Sequence, residues 1–291
     1  KASTSAQSRG ARMDRLLKGT ANLATSRPKT VLAASALVLA FGLSGAAQVK
    51  FSHEPHTWLP TTNPARQASD FIDEKMNGAN VIEVVVDTGQ TNGLYAPAVM
   101  SGLEKLGHDV DALDGQNITV GKTLSVADVI KETHQALNEN RPEYYAVPEE
   151  RQLIAQELFL FENSGSDDLE DFVDSQFQLA RFTAKMPWAD AVHLRDFIAN
   201  VEQRFHDVLG PGVDITMTGM NALLSRTMTA TIESMAKSYV WAALVITFMM
   251  ILLIGNIRVG LVSMIPNLTP IILTLGIMGW FGLPLDLFTM L

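Results

Sequence analysis

The chain has 291 residues, of which 47% are hydrophobic and only 18% are charged, and its formal net charge is −9. This composition is typical of a protein that combines a folded domain with membrane-spanning segments, rather than of a wholly soluble protein. The acidic balance argues against a nucleic-acid partner, because most of the surface would repel a polyanion. The chain contains no cysteine, which excludes disulfides and thiolate metal sites.

Charge is distributed unevenly along the chain. Residues 1–50 hold 8 Lys or Arg and one acid, whereas residues 51–237 hold 13 Lys or Arg and 29 Asp or Glu. We interpret residues 1–29 as a basic cytoplasmic tail or linker and the acidic middle as a separate domain. Because the chain starts at Lys1 and stops within an apolar run, we expect it to be part of a longer protein.

Three segments carry no charged residue, namely residues 30–49, 238–257 and 259–285. Twenty helical residues span roughly 30 Å, which is the thickness of the hydrocarbon core of a bilayer. Each segment is therefore predicted to be a transmembrane helix, and residues 286–291 are predicted to begin another. The positive-inside rule places the basic tail and Arg258 in the cytoplasm. Residues 50–237 then lie outside, in a multi-pass protein of the bacterial inner membrane with a cytoplasmic N-terminus.

The first apolar segment has an alternative interpretation. Its basic flank and the small-residue stretch "LSGAAQ" also fit a cleavable signal peptide. Against this, Ala36, Ala40 and Ser44 recur every four residues, which places small side chains on one helix face where another helix can approach closely. We therefore favour a membrane helix that packs through these three residues.

Residues 50–237 show alternating strand and helix patterns. Strands are predicted at 81–89, 117–126, 177–186 and 213–219, and helices at 96–110 and 189–210. An insertion at about 125–175 contains two further helical pieces, the first with Ser125 and Asp128 in the positions of a capping box, and an acidic stretch predicted to be a solvated loop. Two βαβ units of this kind predict an α+β fold, a ferredoxin-like sandwich with helices on one face of an antiparallel sheet.

The segment after Gly219 leads into the second apolar segment without a helix-breaking residue. Leu224, Met228, Ile232 and Met235 repeat at helical spacing, which predicts one continuous helix from the domain into the membrane. Such a helix can transmit motion between the two parts of the chain, or it can be a plain structural stalk, and the pattern favours neither.

The sequence carries no recognisable catalytic motif, and we predict no enzymatic activity and no cofactor. The sequence holds no nucleophile elbow, phosphate loop or paired-carboxylate motif. The stretch "HEPH", with His53 and His56, lacks the spacing of a helical zinc pair and a third nearby ligand. The acidic residues at 167–174 lack the glycine-turned loop of a calcium site, so no metal site is predicted.

The third apolar segment contains helix-breaking and polar residues at defined positions. Pro266 and Pro270 each remove a backbone hydrogen bond, and Asn267 and Asp286 add polar groups, so we predict a hinge or pathway here. The backbone carbonyls that the prolines free need hydrogen-bond partners within a bilayer. We therefore expect the helix face that carries them to meet protein or a wet cavity. Gly276, Gly279 and Gly282 are predicted to form a close-packing edge. The alternative is a kinked helix that merely packs in a bundle.

These residues carry a resemblance to a known family. The stretch "GNIRVGLVSMIPNLTPIILTLGIMGWFGLPLDLFTML" resembles two helices of a repeat in the resistance–nodulation–division (RND) superfamily, and in particular its predicted-exporter (MMPL-like) branch. The Pro266-Asn267-x-x-Pro270 core and the "GLPLD" end (residues 282–286) carry the similarity. "TWLPTTNPARQASDFIDEKMNGANVIEVVVDTG" and "TLSVADVIKETHQALNENRPEYYAVPEE" look like the outer domain of the second repeat. "TMTGMNALLS", before the second helix, also resembles the family.

The resemblance implies twelve helices in two repeats, an outer porter domain in each repeat, and proton-driven export of lipids or other hydrophobic molecules. The implied partners are the lipid bilayer, the remaining helices of the same transporter, a hydrophobic or lipid substrate, and possibly further copies in a homo-oligomer. Family members carry their proton relay on the fourth helix, so no relay residue is expected in this chain. Two alternatives stay open: a non-transporting membrane assembly or secretion factor on the same fold, and a membrane-tethered ligand sensor.

Overall fold

The computed structural model describes residues 21–115, 118–164, 167–286 and 289. The chain divides into two units. The central unit comprises residues 52–235, and the flanking unit comprises the residues before and after it. Three helices are long and apolar enough to cross a membrane, which is consistent with a membrane protein.

A four-stranded antiparallel sheet forms the centre of the central unit. Its strands are β1 (Asn80–Asp87), β4 (Lys122–Leu124), β5 (Leu179–Met186) and β6 (Asp214–Thr218), in the spatial order β4-β5-β1-β6. A separate pair consists of β2 (Asp114–Gly115) and β3 (Ile118–Thr119). The single strand predicted at 117–126 is thus two short ones, which belong to different sheets.

One face of the sheet carries the core because apolar residues alternate along its strands. Two helices pack against each other over that core, α3 (Pro97–Asp111) and α6 (Ala191–Leu209). The Phe182 ring of β5 meets the Phe205 ring of α6 edge to face, with 5.0 Å between ring centroids. The buried apolar side chains of β1, β5, α3 and α6 are Ile82, Val84, Val86, Ala180, Phe182, Ala184, Met186, Met100, Leu103, Leu106, Val110, Ala191, Leu194, Phe197, Ile198, Val201 and Phe205.

The insertion contains α4 (Val126–Leu137) and α5 (Arg151–Glu162). The predicted capping box is confirmed: the Ser125 backbone N–H donates to Asp128 Oδ2 at 2.9 Å, and the Ser125 hydroxyl accepts from Ala127 N at 3.3 Å. The acidic stretch is not simply a solvated loop. Asp167–Asp171 form a turn of 3-10 helix, and Leu169 is only 3% exposed, because its side chain joins the core.

A buried lysine ties the insertion to α3. Lys131 Nζ lies 3.1 Å from Asp128 Oδ1 and 3.6 Å from Glu104 Oε1, and it sits 5.0 Å from the centroid of the Tyr145 ring. Burial lowers the pKa of Lys131, but the hydrogen bond to Asp128 and the nearby negative charges outweigh it, so the pKa is raised above its ordinary value of 10.5. The charged lysine therefore stabilises the folded state.

Replacing Lys131 with glutamine is expected to lower the free energy of unfolding by about 1.5 kcal/mol at neutral pH, the lower end for hydrogen bonds to charged groups, since both acids are partly solvated. The pKa of Lys131 is higher in the folded protein than in the unfolded chain. The charged lysine therefore contributes its full stabilisation below pH 10.5, and this contribution is lost as the pH rises through the folded-state pKa. Denaturant titrations across pH 6–12 test this, with the exposed Lys105→Gln as control. An undiminished difference above the folded pKa would contradict it.

The remaining helices are α1 (Pro28–Ala46), α2 (Pro64–Met76), α7 (Met220–Ile254) and α8 (Ile257–Trp280). Residues 21–26 are also helical. The prediction of an uninterrupted helix after Gly219 is confirmed, since α7 runs for 35 residues without a break. Short 3-10 turns lie at Pro55–Trp58, Gly93–Tyr95 and Pro142–Tyr144.

Candidate functional site in the apolar helices

Four glycines bring α1 and α8 into backbone contact. Gly42 and Gly45 on α1 and Gly276 and Gly279 on α8 are all buried. A Cβ on Gly276 would lie 2.5 Å from the Gly42 carbonyl oxygen, and one on Gly279 would overlap the Gly45 carbonyl oxygen. At Gly45, Gly276 and Gly279, any side chain larger than hydrogen would force the helices apart. We call these four residues the glycine crossing.

Aromatic and backbone contacts extend the glycine crossing toward the end of α8. The Phe41 and Trp280 rings stack with centroids 5.1 Å apart and planes within 8°. The Trp280 indole N–H donates to the Phe41 carbonyl at 3.3 Å. Beyond α8, the Leu285 N–H donates to the Lys50 carbonyl at 2.8 Å. The segments that follow α1 and α8 are therefore also held together.

The small residues predicted to pack α1 are not the ones that make this contact. Ala36, Ala40 and Ser44 are exposed, and Gly42 and Gly45 take their place against α8. The physical reason is the closeness of the crossing, which leaves no room even for a methyl group. The four-residue repeat of small side chains marks a different face of α1 from the one that meets α8, and the glycines three residues apart are the signal for that contact.

Gly282 does not belong to the close-packing edge that Gly276 and Gly279 form. It has φ +65°, and the space where its Cβ would lie is open. The Leu283 N–H donates to the Met278 carbonyl at 2.8 Å, and the Gly282 N–H donates to the Gly279 carbonyl at 3.2 Å. This left-handed glycine ends α8, as is usual at helix C-termini.

The two prolines lie within a helix that continues through them. Pro266, Asn267 and Pro270 are exposed in the described structure, on residues that do not take part in the glycine crossing. The hydroxyls of Thr269 and Thr274 donate to the carbonyls of residues 265 and 270, at 2.7 and 2.9 Å. These bonds do not reach the carbonyls of Val262 and Pro266, which are the two that lose their backbone donors to the prolines.

Asp286 bonds a residue close to it in the chain. The Thr289 backbone N–H donates to Asp286 Oδ1 at 2.7 Å, and the Asp286 backbone N–H donates to Thr289 Oγ1 at 2.8 Å. The carboxylate is therefore engaged by the Thr289 backbone.

The turn between α7 and α8 lies earlier than predicted. Ile254 ends α7, Gly255 takes a left-handed φ of +71°, and the Asn256 side chain accepts from Arg258 N at 3.0 Å. Arg258 is thus in the first turn of α8 rather than between the helices. None of the residues in the most apolar stretch of α7 is buried, so this helix presents an apolar surface on every side.

Histidines and acids do not assemble a metal centre in the part of the chain that the structure describes. His53 is buried and His56 lies beside Asp70, with 2.9 Å between Nε2 and Oδ1. No protein-family model matches this sequence, and no curated protein is significantly similar to it.

Proposed function

We propose that this chain is part of a proton-driven RND-type membrane exporter of lipids or other hydrophobic molecules. The observation that carries the proposal is the topology of the central unit, which lies in the chain between the first and second apolar helices. Strand β1 is followed by α3 and β4, and β5 by α6 and β6, and the strand order β4-β5-β1-β6 has both central strands antiparallel to their neighbours. This supports the ferredoxin-like porter domain that the resemblance implies.

Unpartnered surface on the apolar helices also supports a larger assembly. Along α7, Trp241, Phe248 and Leu253 are 62–83% exposed, and in the proposed exporter they meet lipid or the remaining helices of the transporter. The Pro266–Pro270 stretch differs, because Asn267 and the carbonyls freed by proline are costly against hydrocarbon. We therefore assign that face to other helices or to a wet pathway.

The orientation and the proton relay follow from charge. The basic residues before α1 and Arg258 are placed in the cytoplasm, and the central unit outside the bacterial inner membrane. A carboxylate at the centre of a bilayer costs about 2.5–3.5 kcal/mol on insertion scales, and the charge-free segments 30–49, 238–257 and 259–285 carry none. Since Asp286 bonds its own backbone neighbour, the relay is assigned to a part of the transporter outside this chain.

Transport by the full-length protein tests the proposal. It is reconstituted in lipid vesicles with a fluorescent phospholipid analogue, and flux is measured with and without an imposed pH gradient. We expect flux that requires the gradient and is abolished by a protonophore. Probe binding without flux would point to an assembly factor or a ligand sensor instead, and would contradict an exporter.

Replacing Pro266 and Pro270 together with alanine is expected to reduce gradient-driven flux several-fold while protein levels stay normal. The physical reason is that alanine restores two backbone hydrogen bonds and stiffens α8. The control is Leu268→Ala in the same turn, which leaves the backbone bonding unchanged. Unchanged flux in the double variant would remove the hinge from the mechanism.

A further inference from the structure

We propose that Asp190, the N-cap of α6, and Ala191, its first residue, form a joint. The joint fastens two segments distant in sequence, the stretch that follows α1 and the beginning of α7, to the same helix end. Asp190 and Ser225 are then positioning residues that make these segments move with α6. The bonds described below are independent of any activity, and only their role in transport rests on the proposed function.

Asp190 makes the first half of the joint. Its Oδ1 accepts from the His53 backbone N–H at 3.0 Å and from the Val192 backbone N–H at 2.9 Å. One carboxylate oxygen therefore caps α6 and holds residue 53, which is 137 positions away. Asp190 is 7% exposed, so its bonds are shielded from competing water.

Ala191 makes the second half. Its backbone N–H donates to the His53 carbonyl at 3.1 Å, and its own carbonyl accepts from the Ser225 hydroxyl at 2.9 Å. Both Ala191 and Ser225 are 1% exposed. Breaking either bond would leave a buried polar group without a partner, which is more costly than losing a solvated bond. The N-cap and the first residue of α6 thus bond to both segments.

Neighbouring buried side chains shield the joint from solvent. The His53 ring is 1% exposed and packs edge to face on the Trp58 ring, with 4.9 Å between centroids. Asn221 and Ala222, in the first turn of α7, are buried as well. His53 engages the joint only through its backbone, and neither of its ring nitrogens has a hydrogen-bond partner within the described chain. The side chains that the joint requires are therefore those of Asp190 and Ser225.

The joint holds two stretches of the central unit that are continuous in the chain with apolar helices. Helix α7 continues from Ser225 to Ile254 without interruption, and residue 53 follows α1 by only seven positions. In the other direction, α6 contacts β5 through the Phe182–Phe205 pair. In the proposed exporter, a shift of α1 or of α7 is thereby delivered to α6 as a single displacement.

Amide hydrogen exchange on the full-length protein in detergent tests the joint without measuring transport. Asp190→Ala is expected to speed exchange at residues 191–194 by roughly 2- to 30-fold, as for a lost N-cap. Coupling between sites is reciprocal. Asp190→Ala should therefore also speed exchange at residues 222–228 by about fivefold or more, and Ser225→Ala should speed exchange at residues 191–194 by a similar factor. Asp190→Asn, which keeps the accepting oxygen, should restore protection.

Ser125→Ala is the matched control, because Ser125 is an equally buried cap whose bonds stay within α4. Its effect should remain in α4. The joint is refuted if Asp190→Ala affects only α6 and Ser225→Ala affects only α7. Should Asp190→Ala fail to fold, Ser225→Ala decides the question by itself, since it removes one hydroxyl.

The vesicle assay separates the joint from the proposed function. If amide hydrogen exchange in α6 and α7 is coupled as expected, Asp190→Ala should show several-fold less gradient-driven flux than Asp190→Asn at equal protein levels. Equal flux in the two variants would overturn the coupling role. If the unmodified protein moves no lipid, the exporter proposal fails while the exchange result still supports or refutes the joint.

Discussion

Replacing Gly45 with leucine is expected to lower the free energy of unfolding by about 3 kcal/mol, at the upper end of overpacking costs in filled interiors. A Cβ at this position overlaps the Gly276 carbonyl oxygen and the Trp280 ring. Because the clash is with backbone, rotation of a side chain does not relieve it. Denaturant titration in detergent, followed by tryptophan fluorescence, measures the change, and the stacked Trp280 should lose its contact with Phe41 first.

Ala40→Leu is the control for this variant. It adds a branched side chain to the same helix, but Ala40 is exposed, so its effect should stay within about 0.5 kcal/mol. Equal loss in both variants would mean that α1 is sensitive to bulk on any face. The glycine crossing would then have no special role in holding α1 on α8.

Replacing Phe182 with alanine is expected to destabilise the central unit by about 3–5 kcal/mol, the range for truncating a buried phenylalanine. Phe182 is 1% exposed and meets Phe205 across the contact between β5 and α6. The cavity would remove the packing on which both elements depend. Denaturant titration followed by far-ultraviolet circular dichroism gives the free energy.

Phe159→Ala tests whether position, rather than residue type, accounts for the loss. Phe159 lies on α5 and is 62% exposed, so its truncation should change stability by no more than about 0.5 kcal/mol. A comparable loss at Phe159 would place the core elsewhere than between β5 and α6. A loss below about 1 kcal/mol at Phe182 would mean that the site collapses around the cavity.

The regular elements of the central unit were readable from local pattern. Alternation in residues 177–186 places Phe182 and Ala184 on one face, and that face is the buried one in β5. Helical spacing in residues 189–210 places Leu194, Ile198 and Val201 together, and all three are buried in α6. These predictions succeed because side-chain periodicity depends only on the backbone conformation of the element itself.

Contacts between distant segments were not readable in this way. The stripe of Ala36, Ala40 and Ser44 and the crossing of Gly42 and Gly45 lie on the same helix, and either face is compatible with close packing. Helix α2 also went unpredicted, because its inward-facing residues are polar: Ser69 accepts from the Trp188 indole at 2.6 Å, and Asp73 accepts from the backbone N–H of Ala79. A search for an apolar stripe misses such a helix.

The sequence by itself determined that three charge-free segments form long apolar helices and that an alternating α/β region lies between the first two, since these depend on transfer free energy and on local periodicity. The three-dimensional packing settles which glycines cross and that Asp190 holds residue 53. Those outcomes depend on which backbone donors and acceptors meet across more than a hundred residues. Many arrangements satisfy the same pattern, and packing selects one of them.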